Sequence, residues 1–183
     1  MSTVEDSVSL NLFSTHLLDL HTKAKAQSLT SAERIEYERV RDDIARMLVF
    51  AQHLICRPGE KFRQALRVVI ELAVSVDDSG AIAEGKTLNI SAGGFAATLS
   101  APLANGTNVG VKLALPFGAP IVGRAQVVGS SPAGNGCRAS FAFQELAQSE
   151  VDLLEVLVFD GVLPQLSSIL GMSQPQRGSS ASG

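Results

Sequence analysis

Leu10, Phe13, Leu17, Leu20 and Ala24 recur at alternating steps of three and four, with polar residues on the positions between them. That spacing lays an apolar stripe along one face and predicts a helix from about residue 8 to 27. A second start follows at Thr30-Ser31-Ala32-Glu33, a capping box in which the Thr hydroxyl and the Glu carboxylate satisfy free amides of the first turn. Tyr37, Val40, Ile44, Met47, Leu48, Ala51, Leu54 and Ile55 carry the helical period onward until Pro58-Gly59 stops it. Residues 1–58 therefore read as an N-terminal helical hairpin. Two such helices bury too little to stand alone, so their stripes face the following domain, a second copy of the chain, or another partner. His16, His21 and His53 lie on these helices without the spacing of a helical metal site, and are expected at the surface or its boundary.

From Arg67 the period changes to two. Val68, Ile70, Leu72, Val74 and Val76 share one face, while Glu71 and Ser75 take the other, as in a half-buried strand. Further strand candidates run over 87–91, 94–99, 108–115, 121–129 and 136–143. Asp77 to Gly80, Pro102, Asn105-Gly106, Pro116 and Pro132 to Gly136 separate them. Short strands punctuated in this way predict a small antiparallel barrel. Its inward positions include Val109, Val111, Leu113 and Leu115, then Cys137, Ala139, Phe141 and Phe143, which leaves Arg138 pointing outward. Ser149-Glu150 opens a closing helix with the stripe Val151, Leu154, Leu157 and Val158. Asp160-Gly161 weakens that helix, and Pro164 is expected to start a separate shorter turn through Leu170. The expected division is 1–58 for the hairpin, 59–171 for the barrel with its helix, and 172–183 for a tail too poor in apolar groups to offset its ordering entropy.

Composition narrows the class. The 183 residues are 45 % hydrophobic and 18 % charged, the balance of a globular chain with a real core. A net charge of -3 argues against a nucleic-acid polymer as partner, so any basic site is local, and Arg57, Lys61, Arg63 and Arg67 supply one. Cys56 and Cys137 are far apart and in no C-x-x-C, so they read as buried small residues and support neither a metal site nor a disulfide framework. The N-terminal residues lack a basic start followed by an apolar run, and no long uncharged apolar stretch exists, so membrane insertion is not expected and a cytoplasmic location is.

The chemistry concentrates in two segments. Arg63-Gln64-Ala65-Leu66-Arg67 carries two guanidinium groups, planar forks that grip a phosphate or the O6 and N7 edge of guanine and stack on a base. Arg67 opens a strand-like run, which places the pair on a loop entering that strand. Further on comes Asn89-Ile90-Ser91-Ala92-Gly93-Gly94. Asn89 and Ser91 stand two apart, the spacing that sends both side chains to one face of a strand, where each can bond a base edge. Gly93 and Gly94 allow a tight turn and a close approach by a flat ligand.

R-x-x-x-R followed by [D/N]-x-S-x-x-G resembles the signature of the PilZ domains, bacterial receptors for cyclic di-GMP. Arg63, Arg67, Asn89, Ser91 and Gly94 occupy all five positions, and the resemblance runs from about residue 60 to about residue 160. Gly136 to Phe143 before a closing helix is similar to the family's last strand. The implied fold is α+β: a six-stranded antiparallel β-barrel of PilZ type with a C-terminal helix, preceded here by the helical hairpin. The implied ligand is cyclic di-GMP, with the arginines on phosphates and guanine edges and Asn89 and Ser91 on guanine. Asn89 stands where Asp is commoner and is neutral. Phe62 stands where some members have another arginine, and one ligand or an intercalated pair remains compatible.

No nucleophile with a base, poised carboxylate pair or metal cluster accompanies these residues, so no enzyme and no cofactor is expected. The expected function is a receptor that changes shape or protein partner on binding the dinucleotide, with motility, surface attachment or exopolysaccharide output implied by the resemblance. The alternative is an adaptor that does not bind the nucleotide and works through protein contacts of its helical hairpin; a homodimer is compatible with either reading.

Overall fold

The computed structural model describes residues 3–54 and 65–169, so Arg63, Phe62, Cys56 and the expected tail lie outside the described residues. Helices α1 (Thr3–Lys25) and α2 (Ser31–Leu54) form the hairpin, and the box at its turn is present. Thr30 Oγ1 accepts the Glu33 amide at 3.3 Å, while Glu33 Oε2 accepts the Thr30 amide at 2.9 Å. Glu33 Oε1 also takes the Lys23 ammonium, tying the end of α1 to the start of α2.

Strands β1 (Ala73–Asp78), β2 (Ala81–Ser91), β3 (Gly94–Leu99), β4 (Asn108–Leu113), β5 (Ile121–Ala133) and β6 (Gly136–Glu145) close into one barrel in the order β1-β2-β3-β6-β5-β4. Every pairing is antiparallel, including the β1–β4 contact that shuts the sheet. The alternation legible in the sequence is the alternation of burial: Val74, Val76, Val109, Val111, Leu113, Cys137, Ala139 and Phe141 are all buried. Phe95 stacks on Phe141 with ring centroids 4.6 Å apart.

Three expectations about the barrel shift. The first strand is shorter than its apolar pattern, since only 73–78 joins the ladder, while Val68 meets Ile90 in an isolated bridge. The β1–β2 turn is only Ser79-Gly80, whose φ values of 56° and 95° suit the mirror-image turn that matches strand twist. The long β5–β6 hairpin extends through Pro132 to Ala133, because Pro at a strand end forgoes little ladder bonding.

Helix α3 (Gln148–Ile169) departs further from expectation: it continues unbroken through Gly161 and Pro164, with no separate turn. A glycine and a proline together cost an isolated helix about 4 kcal/mol. Burial on two sides exceeds that. Leu154, Leu157, Val158 and Val162 belong to the barrel core, while Val156, Phe159 and Leu163 join Leu17, Leu20, Ala24 and Tyr37 of the hairpin. Each buried side chain of this size contributes about 1.5–3 kcal/mol. Gly161 itself is a contact point, because a Cβ there would lie 3.0 Å from both Cβ and Cγ1 of Val68. Among the three candidate partners for the hairpin's stripes, α3 of the same chain covers Leu17, Leu20, Ala24 and Tyr37. Met47 and Ala51, expected on the apolar face of α2, are exposed instead.

His21 is also not at the surface. It is buried, with Nδ1 2.8 Å from the Tyr37 hydroxyl and Nε2 2.9 Å from Asp160 Oδ1. Burial raises the Tyr37 phenol, so it keeps its proton. The His21 bond and then the Lys25 bond hold the Asp160 carboxyl down at about 2, against the opposing effect of its own burial. Nε2–H is therefore the donor to an ionised Asp160. Beside it, the buried Arg41 guanidinium donates to Glu155 at 2.5 Å and Asp42 at 2.9 Å.

A depressed carboxylate stabilises the fold above its ordinary value of 3.8 and loses that contribution as pH falls toward about 2. Thermal unfolding of the native chain and of Asp160→Asn is therefore expected to differ at neutral pH, with the difference shrinking below about pH 4 and closing only near pH 2. A second expectation concerns β3. A Cβ on Gly94 would lie 2.1 Å from the Phe141 carbonyl oxygen of β6, so Gly94→Ala should lower stability by about 2–4 kcal/mol in denaturant titration.

Candidate functional site

Arg67 reaches its place through backbone bonds on both sides of Val68. The Val68 amide donates to the Ile90 carbonyl at 3.0 Å, and the Ile90 amide returns the bond at 2.9 Å. Thr87 secures the next turn of chain. Its amide donates to the Leu72 carbonyl, its Oγ1 accepts the Leu72 amide at 2.9 Å, and its hydroxyl donates to the Ile70 carbonyl at 2.7 Å. The segment from Arg67 to Leu72 is thus sewn along β2 without being a ladder strand.

A β-bulge decides where Asn89 points. The β2–β3 register steps from Thr87↔Ala97 to Asn89↔Ala96, so Leu88 is the extra residue. Strict alternation from buried Thr87 would turn Asn89 inward and Ile90 outward. The bulge reverses this: Ile90 is fully buried, and Asn89 is partly open on the outer surface. There its Oδ1 lies 3.5 Å from Nη1 of the exposed Arg67, a long contact that leaves most of the guanidinium fork free. Among the described residues Arg67 has no ion-pair partner. Val69, on the same outer side of its segment, is 91 % exposed.

Ser91 behaves differently from Asn89. It is buried, and its hydroxyl donates to the Gly94 carbonyl at 3.1 Å, closing the turn between β2 and β3. Its lone pairs remain, but its first role is to shape the turn. The two glycines separate in the same way. Gly94 is demanded by the fold, because the β6 backbone occupies the place of its side chain; Gly93 is exposed with open space where a Cβ would stand. Flat ligands can approach the backbone there.

The structure therefore brings Arg67, Asn89, Ser91 and Gly94 to one end of β2 and β3. Arg138 is not among them. It pairs across β3 with Thr98, four strand residues from Gly94, or about 13 Å along the sheet. Sequence reasoning also missed residues on α2. A cleft of about 360 Å3 adjoins the site, lined on one side by Ala65, Leu66 and Ala92 and on the other by residues including Arg46 and Phe50. No sequence signal links α2 to the turn, since only the docked hairpin brings them together. Among the described residues, no group of three or more His, Cys, Asp or Glu is placed to hold a metal ion, and no helix is long and apolar enough to cross a membrane.

Solved structures share this fold. The inhibitor of motility MotI/DgrA from Bacillus subtilis is 23 % identical over 59 % of this chain and 53 % of its own, with a TM-score of 0.50. YcgR from Escherichia coli, solved in complex with c-di-GMP, is 16 % identical over 61 % of this chain and 50 % of its own, with a TM-score of 0.51. The likeness is thus to about half the length of each of those proteins, and at these identities it concerns the fold. No curated protein sequence matches the chain. Residues 61–160, more than half of the sequence, match the PilZ domain, and with the closed barrel and its terminal helix in place the chain belongs to the PilZ domain family.

Proposed function

We propose that this chain is a cytoplasmic receptor for cyclic di-GMP that performs no chemistry and acts by changing conformation or protein partner when the dinucleotide binds. The observation that carries this reading is the placement of the Arg67 guanidinium, paired with no acid among the described residues, beside Asn89 and next to a turn with open space at Gly93. A dianionic ligand with two flat bases needs those three things together: a cation, a base-edge partner and room. In this reading Arg63 and Arg67 hold phosphates and the acceptor edges of guanine. Asn89 bonds a guanine edge, Ser91 holds the turn and offers its remaining lone pairs, and Gly94 lets β3 approach β6. The family, and a relative of the same fold bound to c-di-GMP, support the choice of ligand.

The output follows from where the motif sits. Val68 touches α3 at Gly161, and α3 carries the hairpin, so a ligand that fixes Arg67 acts on the same packed unit as the hairpin's seat. A ligand shifts an equilibrium only by its differential affinity for the two states. Micromolar binding corresponds to about 8 kcal/mol in all, ample to bias the seating of two helices or the exposure of a partner surface. Motility, surface attachment or exopolysaccharide output is the process such a receptor would regulate. Exposed Ile35 and Met47 on α2 favour a second element of the same reading, a protein partner or second copy that engages the hairpin.

Calorimetric titration of cyclic di-GMP into the native chain, Arg63→Ala and Arg67→Ala tests the assignment. A lost charge-assisted bond is worth about 1.5–3 kcal/mol, so each variant is expected to bind at least about tenfold more weakly. Unchanged affinity in both rejects the site. A folded native chain that releases no heat leaves the adaptor function, through the hairpin alone, as the reading that stands.

A further inference from the structure

The cleft beside the motif is lined by three unlike stretches of chain. Ala65 and Leu66 run directly into Arg67, and Ala92 lies between Ser91 and the turn glycines, so one wall is continuous with the motif. A second is α2, whose Arg46 and Phe50 stand one turn apart on the face toward the cleft, and the third is α3 with Glu155, Val158 and Phe159. Leu48 and Leu66 both pack on the barrel core, which holds the first two walls at a set separation. At about 360 Å3 the space falls within the range of small-ligand sites.

The α2 wall carries groups the fold does not use. Phe50 is 63 % exposed, a large ring left mostly in water beside a concave surface, which marks a contact face. Arg46 is 75 % exposed and, among the described residues, paired only with Asp43 one turn earlier on the same helix, an exposed pair that a better acceptor can replace. Arg41, by contrast, is buried and committed to Glu155 and Asp42, so it holds the helix and is unavailable to a ligand.

We propose that α2 forms the second half of the dinucleotide site, with one guanine seated in the cleft, its face on Phe50 and its O6 and N7 edge on the Arg46 guanidinium. This rests on the cyclic di-GMP reading above and extends it to residues outside the family signature. The complementarity is specific. Arginine is the side chain that bonds the acceptor edge of guanine in bidentate fashion, an aromatic ring stacks on a base face, and an added cation suits a dianion. A ligand so placed touches barrel and hairpin at once, and α2 transmits its position to α3 through Arg41 and Glu155.

The chain contains no tryptophan, so Phe50→Trp introduces a single indole whose emission reports on the cleft. Titrating cyclic di-GMP into the full-length variant is expected to quench that emission saturably, at the midpoint found by calorimetry. Arg46→Ala should bind about tenfold more weakly while keeping its circular dichroism and unfolding midpoint. Calorimetric binding that Arg67→Ala weakens, with no change in indole emission and unaltered affinity in Arg46→Ala, would overturn the α2 wall and leave the receptor intact. Absence of any binding heat from the folded native chain would overturn the receptor reading itself, and the α2 site with it.

Discussion

Burial of α3 on two opposite faces is the constraint from which the rest of the molecule takes its arrangement. One face completes the barrel core through Leu154, Leu157, Val158 and Val162, and the other receives α1 and α2 through Val156, Phe159 and Leu163. A helix apolar on both sides has no stable position except between two layers. Because α3 lies so close to the barrel that even a Cβ at Gly161 would crowd Val68 at 3.0 Å, it packs tightly on Val68, the residue whose bridge to Ile90 holds Arg67 in place. The seat of the hairpin and the seat of the motif arginine are thus two ends of one packed column.

Polar groups at the hairpin interface give that packing its register. His21, buried between Tyr37 and Asp160, and Arg41, buried between Asp42 and Glu155, each join a hairpin helix to α3. Burial pushes the Glu155 carboxyl up, and the adjacent Arg41 charge opposes that shift. Buried polar groups of this kind add little net stability relative to apolar replacements, but are costly to break one partner at a time. They therefore specify how the hairpin sits more than how tightly. A seat defined in this way can be biased by a ligand that touches α2.

The proposed binding site divides its labour along similar lines. Gly94 and Ser91 serve the turn, one by admitting the β6 backbone and the other by bonding across it. Arg67 and Asn89 stay at the outer surface with bonding capacity to spare. The four residues of the signature thus differ in structural role: two shape the turn, and two stand open beside it.

Much of the molecule was legible in the chain because its signals are local. Period-two alternation in 108–113 and 136–143, the capping box at Thr30 and the turn residues between strands act within a few positions of one another, and they specified a hairpin, a barrel and a motif. What depended on distant contacts was not legible. The bulge at Leu88 lies in the register between β2 and β3, and it turns Asn89 to the surface. Gly161 and Pro164 stay helical because two cores outweigh their propensities, and His21 is buried because Tyr37 and Asp160 meet it from other helices. The amino-acid sequence by itself determined the order and type of most elements and carried the motif, since those follow from neighbours along the chain. Only the tertiary structure decided which way those residues face and what stands opposite them, because both are set by packing between segments far apart in sequence.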